Sequence, residues 1–137
     1  MSDQLTGAYA AEEAAIYAYG LIGVALPKAG EEDEARSAEL AHRQRRDYLV
    51  AKIPQLPASP AGYETPFPVT DREAALKLAI QVEDGVAQAW RPVLAVTENA
   101  DRATALAALT DAAVRATRWR RLAEVTPATM AFPGRAG

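Results

Sequence analysis

The stretch that decides the fold is PQLPASPAGYETPFPV, residues 54–69, which holds five of the chain's nine prolines. A residue that precedes proline is driven toward an extended backbone, so this stretch is predicted to be a stiff, extended connection. Its sixteen residues at about 3.3 Å each reach roughly 50 Å. A helix of about 23 residues is only about 35 Å long. The stretch can therefore cross the full length of a helical bundle.

Two helical segments are predicted on each side of this crossover. The patterns of apolar and polar residues and the capping signals indicate helices over about 3–26, 31–53, 70–96 and 99–124. Within each pair the connection is short, so the two helices must be antiparallel neighbours. Two antiparallel hairpins joined by one long crossover are the arrangement of ferritin-like four-helix bundles. The prediction is an all-α, single-domain bundle over residues 1–137, with a surface tail over about 125–137.

Composition and charge narrow the classes of function. The net charge of −3 argues against a general affinity for nucleic acid or anionic membranes. The absence of cysteine excludes disulfides and thiolate sites and fits the cytoplasm. The first residues do not resemble a signal peptide, and the apolar run 14–26 is too short to span a bilayer. We expect a soluble cytoplasmic protein that binds neither nucleic acid nor membranes.

Glu83 interrupts an otherwise apolar stripe on the third predicted helix. At helical spacing its neighbours are Leu76, Ile80, Ala87, Trp90 and Leu94. A buried carboxylate without a partner costs several kcal/mol in order of magnitude, or it takes up a proton. The next residue, Asp84, falls on a polar face instead. We therefore expect Glu83 to point into the bundle and to meet a partner there.

The second helix offers such partners, because Glu39 and His42 lie three residues apart and share one side of it. Carboxylates and imidazole together suit iron, manganese or zinc. The first helix adds Glu12 or Glu13, which periodicity cannot separate because that helix is apolar on both faces. A longer run of large side chains favours Glu12. The candidate metal ligands are Glu12, Glu39, His42 and Glu83.

The fourth helix does not complete a di-iron set. Di-iron bundles take a Glu and a Glu-x-x-His pair from each hairpin, but Val114 stands three residues after Asp111. The second half of the face that carries Asp111, which includes Arg115, is predicted to meet solvent. Arg46 lies one turn after His42, and a guanidinium can hold two carboxylates in place of a metal ion. The favoured interpretation is a buried polar network without metal, made of Glu39, His42, Arg46 and Glu83.

Three motifs carry a resemblance to a known family. Residues 11–20 read AEEAAIYAYG, residues 41–47 read AHRQRRD with a His-Arg-x-x-Arg-Asp pattern, and residues 131–134 read AFPG. Together they resemble an actinobacterial ferritin-like domain family of unknown function, over nearly the whole chain. The resemblance implies a four-helix ferritin-like fold and no established activity.

Three functions follow as hypotheses, and the favoured one is not an enzyme. It is a bundle with a degenerate di-iron-type core and no cofactor, which acts as a binding or interaction protein and forms a homodimer. The second is a metalloprotein that performs oxidase or peroxide-handling chemistry with one iron, manganese or zinc ion on Glu12, Glu39, His42 and Glu83. The third is a binder of a small polar ligand in a pocket between helices. No catalytic residue is assigned in the favoured hypothesis.

Overall fold

A computed structural model describes residues 2–136, and these residues form four α-helices and no β-strand. The helices are α1 (Ser2–Ala25), α2 (Ala29–Lys52), α3 (Arg72–Ala95) and α4 (Asn99–Leu122). Each boundary lies close to the predicted one. The all-α four-helix bundle predicted from the sequence is confirmed.

The helices form two hairpins, because residues 26–28 join α1 to α2 and residues 96–98 join α3 to α4. Such short connections leave antiparallel packing as the available arrangement. Helix α1 packs against both α2 and α3, and α3 also packs against α4. Alanines line these contacts, among them the fully buried Ala8, Ala15 and Ala79. Their small side chains let the helix axes come close together.

The crossover between the hairpins, residues 53–71, contains no helix and lies against α1. Its Ser59 donates a hydrogen bond to Glu13, and the ring of Tyr63 packs against that of Tyr17 with the centroids 5.1 Å apart. It ends at Asp71, whose side chain accepts a hydrogen bond from the Ala74 amide at 2.9 Å and so caps α3. The proline-rich stretch is therefore the extended connection that its sequence predicts.

The segment after α4 turns back onto the bundle rather than lying wholly on its surface. Gly134 is buried and has a φ of +82°. A Cβ atom at this position would lie 2.8 Å from the carbonyl oxygen of Ala87 in α3. Only glycine combines this backbone conformation with so close an approach, which explains why the tail can dock here.

Two apolar clusters fill the core, and polar residues separate them along the helices. The first cluster includes Leu5, Leu49, Val86, Trp90 and Val93. The second includes Tyr19, Ile22, Leu76, Ala79 and Trp119. His42 on α2 and Glu83 on α3 lie at the boundary between the clusters, Glu12 lies on α1 among residues of the first cluster, and all three are buried. Across residues 2–136, no helix has both the length and the apolar character that crossing a membrane requires.

Candidate functional site

Helix periodicity brings two acids into the middle of the bundle. Glu12 lies on the buried stripe of α1 with Leu5, Ala8, Ala15 and Tyr19, and its exposure is 0%. Glu83 lies on the buried stripe of α3 and also has an exposure of 0%. Glu13, the alternative on α1, points toward the crossover and is only half-buried. Of the two acids on α1, the core contains Glu12.

The imidazole of His42 lies between these two carboxylates. Its Nδ1 is 2.5 Å from Oε1 of Glu12, and its Nε2 is 2.8 Å from Oε2 of Glu83. The ring is 2% exposed and stacks on the ring of Tyr19, with a centroid distance of 5.6 Å. One histidine of α2 thus joins an acid of each hairpin's first helix.

The remaining carboxylate oxygens accept hydrogen bonds from other core residues. Trp90 Nε1 donates to Oε2 of Glu12 at 3.0 Å. The Tyr19 hydroxyl donates to Oε2 of Glu83 and itself accepts from Trp119 Nε1 at 2.9 Å. The Arg115 guanidinium from α4 lies 3.3 Å from Oε1 of Glu83. We call these seven residues the core network: Glu12, Tyr19, His42, Glu83, Trp90, Arg115 and Trp119.

The partners of the two ring nitrogens indicate the protonation state of His42. A neutral imidazole has one donor and one acceptor, whereas the imidazolium has two donors. Both ring nitrogens of His42 face carboxylate oxygens, and an ionised carboxylate can only accept. The cation is therefore the form that completes both hydrogen bonds. The formal positive charges of His42 and Arg115 then balance the formal negative charges of Glu12 and Glu83.

The pKa of His42 follows from this environment. Burial by itself lowers the pKa of the imidazole, because it disfavours the charged form. The hydrogen bonds and charges of Glu12 and Glu83 outweigh burial and raise the pKa from 6.5 to about 9. Burial, and then the charge of Glu83, raises the pKa of Tyr19 well above 10, so its hydroxyl keeps its proton and remains a donor.

The network has an approximate two-fold relation between the hairpins. Glu83 lies 71 residues after Glu12, and Trp90 lies 71 residues after Tyr19. The contacts are exchanged, because Trp90 donates to Glu12 while Tyr19 donates to Glu83. Each acid is therefore held by an aromatic donor of the other hairpin. The relation fails at the second helices, where α2 provides His42 and α4 provides Arg115.

The network does not have the geometry of a metal site. Glu12 and Glu83 lie at opposite edges of the His42 ring, and all four of their oxygens already accept hydrogen bonds. Metal ligands instead direct their lone pairs to one point. Among residues 2–136, no group of three or more His, Cys, Asp or Glu side chains is arranged to hold an ion.

The structure corrects the prediction for Glu39 and Arg46. Glu39 lies at the surface, where its carboxylate pairs with Arg43 of the next turn at 3.1 Å. Arg46 lies 3.1 Å from Asp47 and 3.8 Å from Glu13. The buried stripe of α2 runs through Ala35, Ala38, His42 and Leu49. The stripe contains Ala38 instead of Glu39, and this difference of one residue corresponds to a rotation of about 100° around the helix axis.

Arg115 was predicted to face solvent, yet it reaches the core and pairs with Glu83. Its side chain is only 16% exposed. The sequence contained a signal for this position, because Arg115 falls at helical spacing within the apolar stripe Ala105, Ala108, Ala112 and Trp119. Asp111, by contrast, is exposed and pairs with Arg45 of α2 at 2.7 Å.

Comparisons with known proteins give a family and a structural relative. The family model described as "Domain of unknown function (DUF4439)" matches residues 4–137. The crystal structure of a conserved hypothetical protein from Mycobacterium tuberculosis, Rv2844, is 37% identical in sequence and superposes with a TM-score of 0.79. The match covers 88% of this chain and 94% of that one. No curated protein matches the chain.

Proposed function

This chain belongs to the DUF4439 domain family, and we propose that it is a binding and interaction protein rather than an enzyme. In this proposal the bundle is ferritin-like and its di-iron-type core has become a metal-free structural centre. One observation carries the proposal: a histidine with both nitrogens bonded to carboxylates lies between Glu12 and Glu83. In a metal site of this fold an ion would take that position.

The burial and bonding of the core network support a structural role. Glu12 and Glu83 are 0% exposed, and His42 is 2% exposed. A general acid or base must come within hydrogen-bond reach of its substrate, but each hydrogen-bonding group of these three side chains already has a partner inside the bundle. A fully satisfied buried network of this kind makes a core rigid and specific. Function then falls to the surface of the bundle.

The metal-free core makes a direct prediction. We expect protein purified without chelator to contain far less than one equivalent of iron, manganese or zinc, measured by elemental analysis. Titration with each divalent ion, followed by calorimetry, should reveal no saturable site. The reason is that binding would have to break hydrogen bonds to both carboxylates before a metal could replace them.

Two variants make this test decisive. The contrary result is one equivalent of metal that is retained in Glu39→Gln and lost in His42→Ala, which would identify the core as a metal site. Glu39 is the matched control, because it lies three residues from His42 and at the surface. Metal that persists in both variants would indicate binding outside the core network and would leave the proposed core intact.

The proposal includes a homodimer formed through the outer face of α4 and the tail. Val114 and Met130 line one groove between these segments, and both are exposed. Leu106 on α4 and Phe132 in the tail are also exposed, at 54% and 61%. Apolar side chains grouped in this way on a surface are typical of protein–protein contacts. We call these four residues the α4–tail face, and the proposal locates the protein in the cytoplasm, as its lack of cysteine predicts.

Sedimentation equilibrium tests the homodimer. We expect wild-type protein to sediment as a dimer and the double variant Val114→Glu, Phe132→Ser to sediment as a monomer, because a buried unpaired charge opposes association. Val24→Glu is the control, since Val24 is 89% exposed but lies on α1, away from this face. A monomeric wild type, or a dimer broken by Val24→Glu and kept by the double variant, would contradict the proposed face.

A further inference from the structure

A small cavity lies between α1 and the proline-rich crossover, remote from the core network. Tyr9 and Glu13 line it on the α1 side, and Pro57, Ser59, Pro60 and Tyr63 line it on the crossover side. Its volume is about 220 Å³. The cavity therefore has room for a small organic molecule. We call it the crossover cavity.

The walls of the crossover cavity are held in place by the fold. Proline fixes the backbone of the crossover, and the ring of Tyr63 packs against Tyr17 of α1 with centroids 5.1 Å apart. Ser59 Oγ is bound to Glu13 at 3.3 Å. A cavity whose walls are already ordered costs little conformational entropy when a ligand enters. The crossover therefore forms a wall of a preformed site and does not need to close over it.

Glu13 gives this mainly apolar cavity one charged group. Its Oε1 accepts hydrogen bonds from Tyr9 at 2.8 Å and from Ser59 at 3.3 Å. Its Oε2 has Arg46 as its nearest cation, at 3.8 Å, which is beyond hydrogen-bond distance. Arg46 itself bonds to Asp47. Within residues 2–136 no hydrogen bond reaches Oε2 of Glu13, and this trio of charges has one negative charge in excess.

We propose that the crossover cavity binds a small organic cation, a primary ammonium with an aromatic or short hydrocarbon body. The ammonium pairs with the carboxylate of Glu13, whose Oε2 has only the 3.8 Å ion pair with Arg46, and the body packs between the prolines and the tyrosine rings. Tyrosine faces attract cations placed over them, and an ammonium–carboxylate hydrogen bond is about twice as strong as a neutral one. This inference rests on the proposed binding role, to which it gives a ligand class.

Three probes of nearly equal shape test the charge requirement on wild-type protein. We expect phenethylammonium to bind saturably by calorimetry or ligand-observed NMR. The neutral 2-phenylethanol should bind at least about tenfold more weakly, since it lacks the charge-assisted hydrogen bond. Phenylacetate should not bind measurably. Equal binding of all three probes, stronger binding of phenylacetate, or no binding of any of them would overturn the proposal.

Variants then locate the site. Glu13→Gln should weaken phenethylammonium binding by about tenfold or more, while Glu39→Gln, a surface acid on α2, should leave it unchanged. Tyr63→Ala, in the crossover, should also weaken binding and provides a second variant if Glu13→Gln does not fold. Unchanged affinity in both site variants would overturn the proposal. None of these residues belongs to the core network. A failure of the ligand proposal can therefore be distinguished from a failure of the proposed metal-free core, which would appear as metal bound at His42.

Discussion

Replacing Glu83 by alanine is expected to reduce the free energy of unfolding by about 3–5 kcal/mol, the range for breaking a buried ion pair from one side. The change leaves the Tyr19 hydroxyl, His42 Nε2 and the Arg115 guanidinium without the carboxylate that receives them. Two of these groups carry formal positive charge, and the side chains of Tyr19 and His42 are almost fully buried. Small domains are stable by only about 5–15 kcal/mol, so a large part of the stability would be lost.

Urea unfolding followed by tryptophan fluorescence measures this loss. Both tryptophans of the chain, Trp90 and Trp119, belong to the core network, so their emission reports its disruption directly. Glu39→Ala is the control, because Glu39 forms a surface ion pair with Arg43, with side-chain exposures of 30% and 45%. We expect it to cost no more than about 1 kcal/mol. Equal losses in the two variants would mean that Glu83 is not the centre of a buried network.

The burial of Glu83 could be predicted because α3 has distinct faces. Its apolar stripe is continuous on both sides of Glu83, and Asp84 falls outside it. Helix α1 gives a weaker signal, because apolar residues surround it and Glu12 and Glu13 are equivalent by periodicity. Packing decided between them. The crossover covers the side of α1 that carries Glu13, and the helices α2 and α3 cover the side that carries Glu12.

The errors on α2 and α4 have a common physical origin. Both helices have an apolar stripe made largely of alanine, which is a weak marker of burial because alanine occurs on helix surfaces as well. On α2 the longer side chains of Glu39 and Arg46 suggested a stripe shifted by one residue. On α4 a long polar side chain, Arg115, occupies a core position. A long arginine can extend its charged end from the edge of a helix to a buried partner, and periodicity alone does not reveal that partner.

The topology was more predictable than the site because it depends on the character of whole segments, the proline-rich crossover and the short connections, and not on the orientation of one side chain. Five prolines within 54–69 exclude a helix and require an extended crossover. Short connections on either side then leave antiparallel hairpins. The site, in contrast, depends on rotations of about 100° per residue, so a shift of one position exchanges a buried group for an exposed one. The His42–Glu83 contact is only partly predictable from the topology, because the distance between the two side chains depends on how closely the hairpins pack.

The stability of the protein should fall as the pH rises from about 6.5 to about 9. The folded state holds a proton on His42 with a pKa of about 9, whereas the unfolded chain releases it near 6.5. The stabilisation from this proton is complete below pH 6.5 and is lost as the pH rises through 9. A difference of this size corresponds to about 3 kcal/mol. Urea midpoints measured at intervals across this range give the profile.

His42→Gln is the variant that assigns the pH dependence. His42 is the chain's only histidine and the chain has no cysteine, so no other side chain ordinarily titrates between pH 6 and 9. Glutamine fills similar space without an ionisable group, and we expect its stability to be lower at pH 6.5 but nearly constant up to pH 9. Tyr19, whose pKa is raised by burial, contributes only above pH 10. A wild-type stability that is constant or rises toward pH 9 would mean that His42 is neutral in the folded protein. One of its two carboxylate contacts would then need a proton on the acid, and the charge balance of the core network would be wrong.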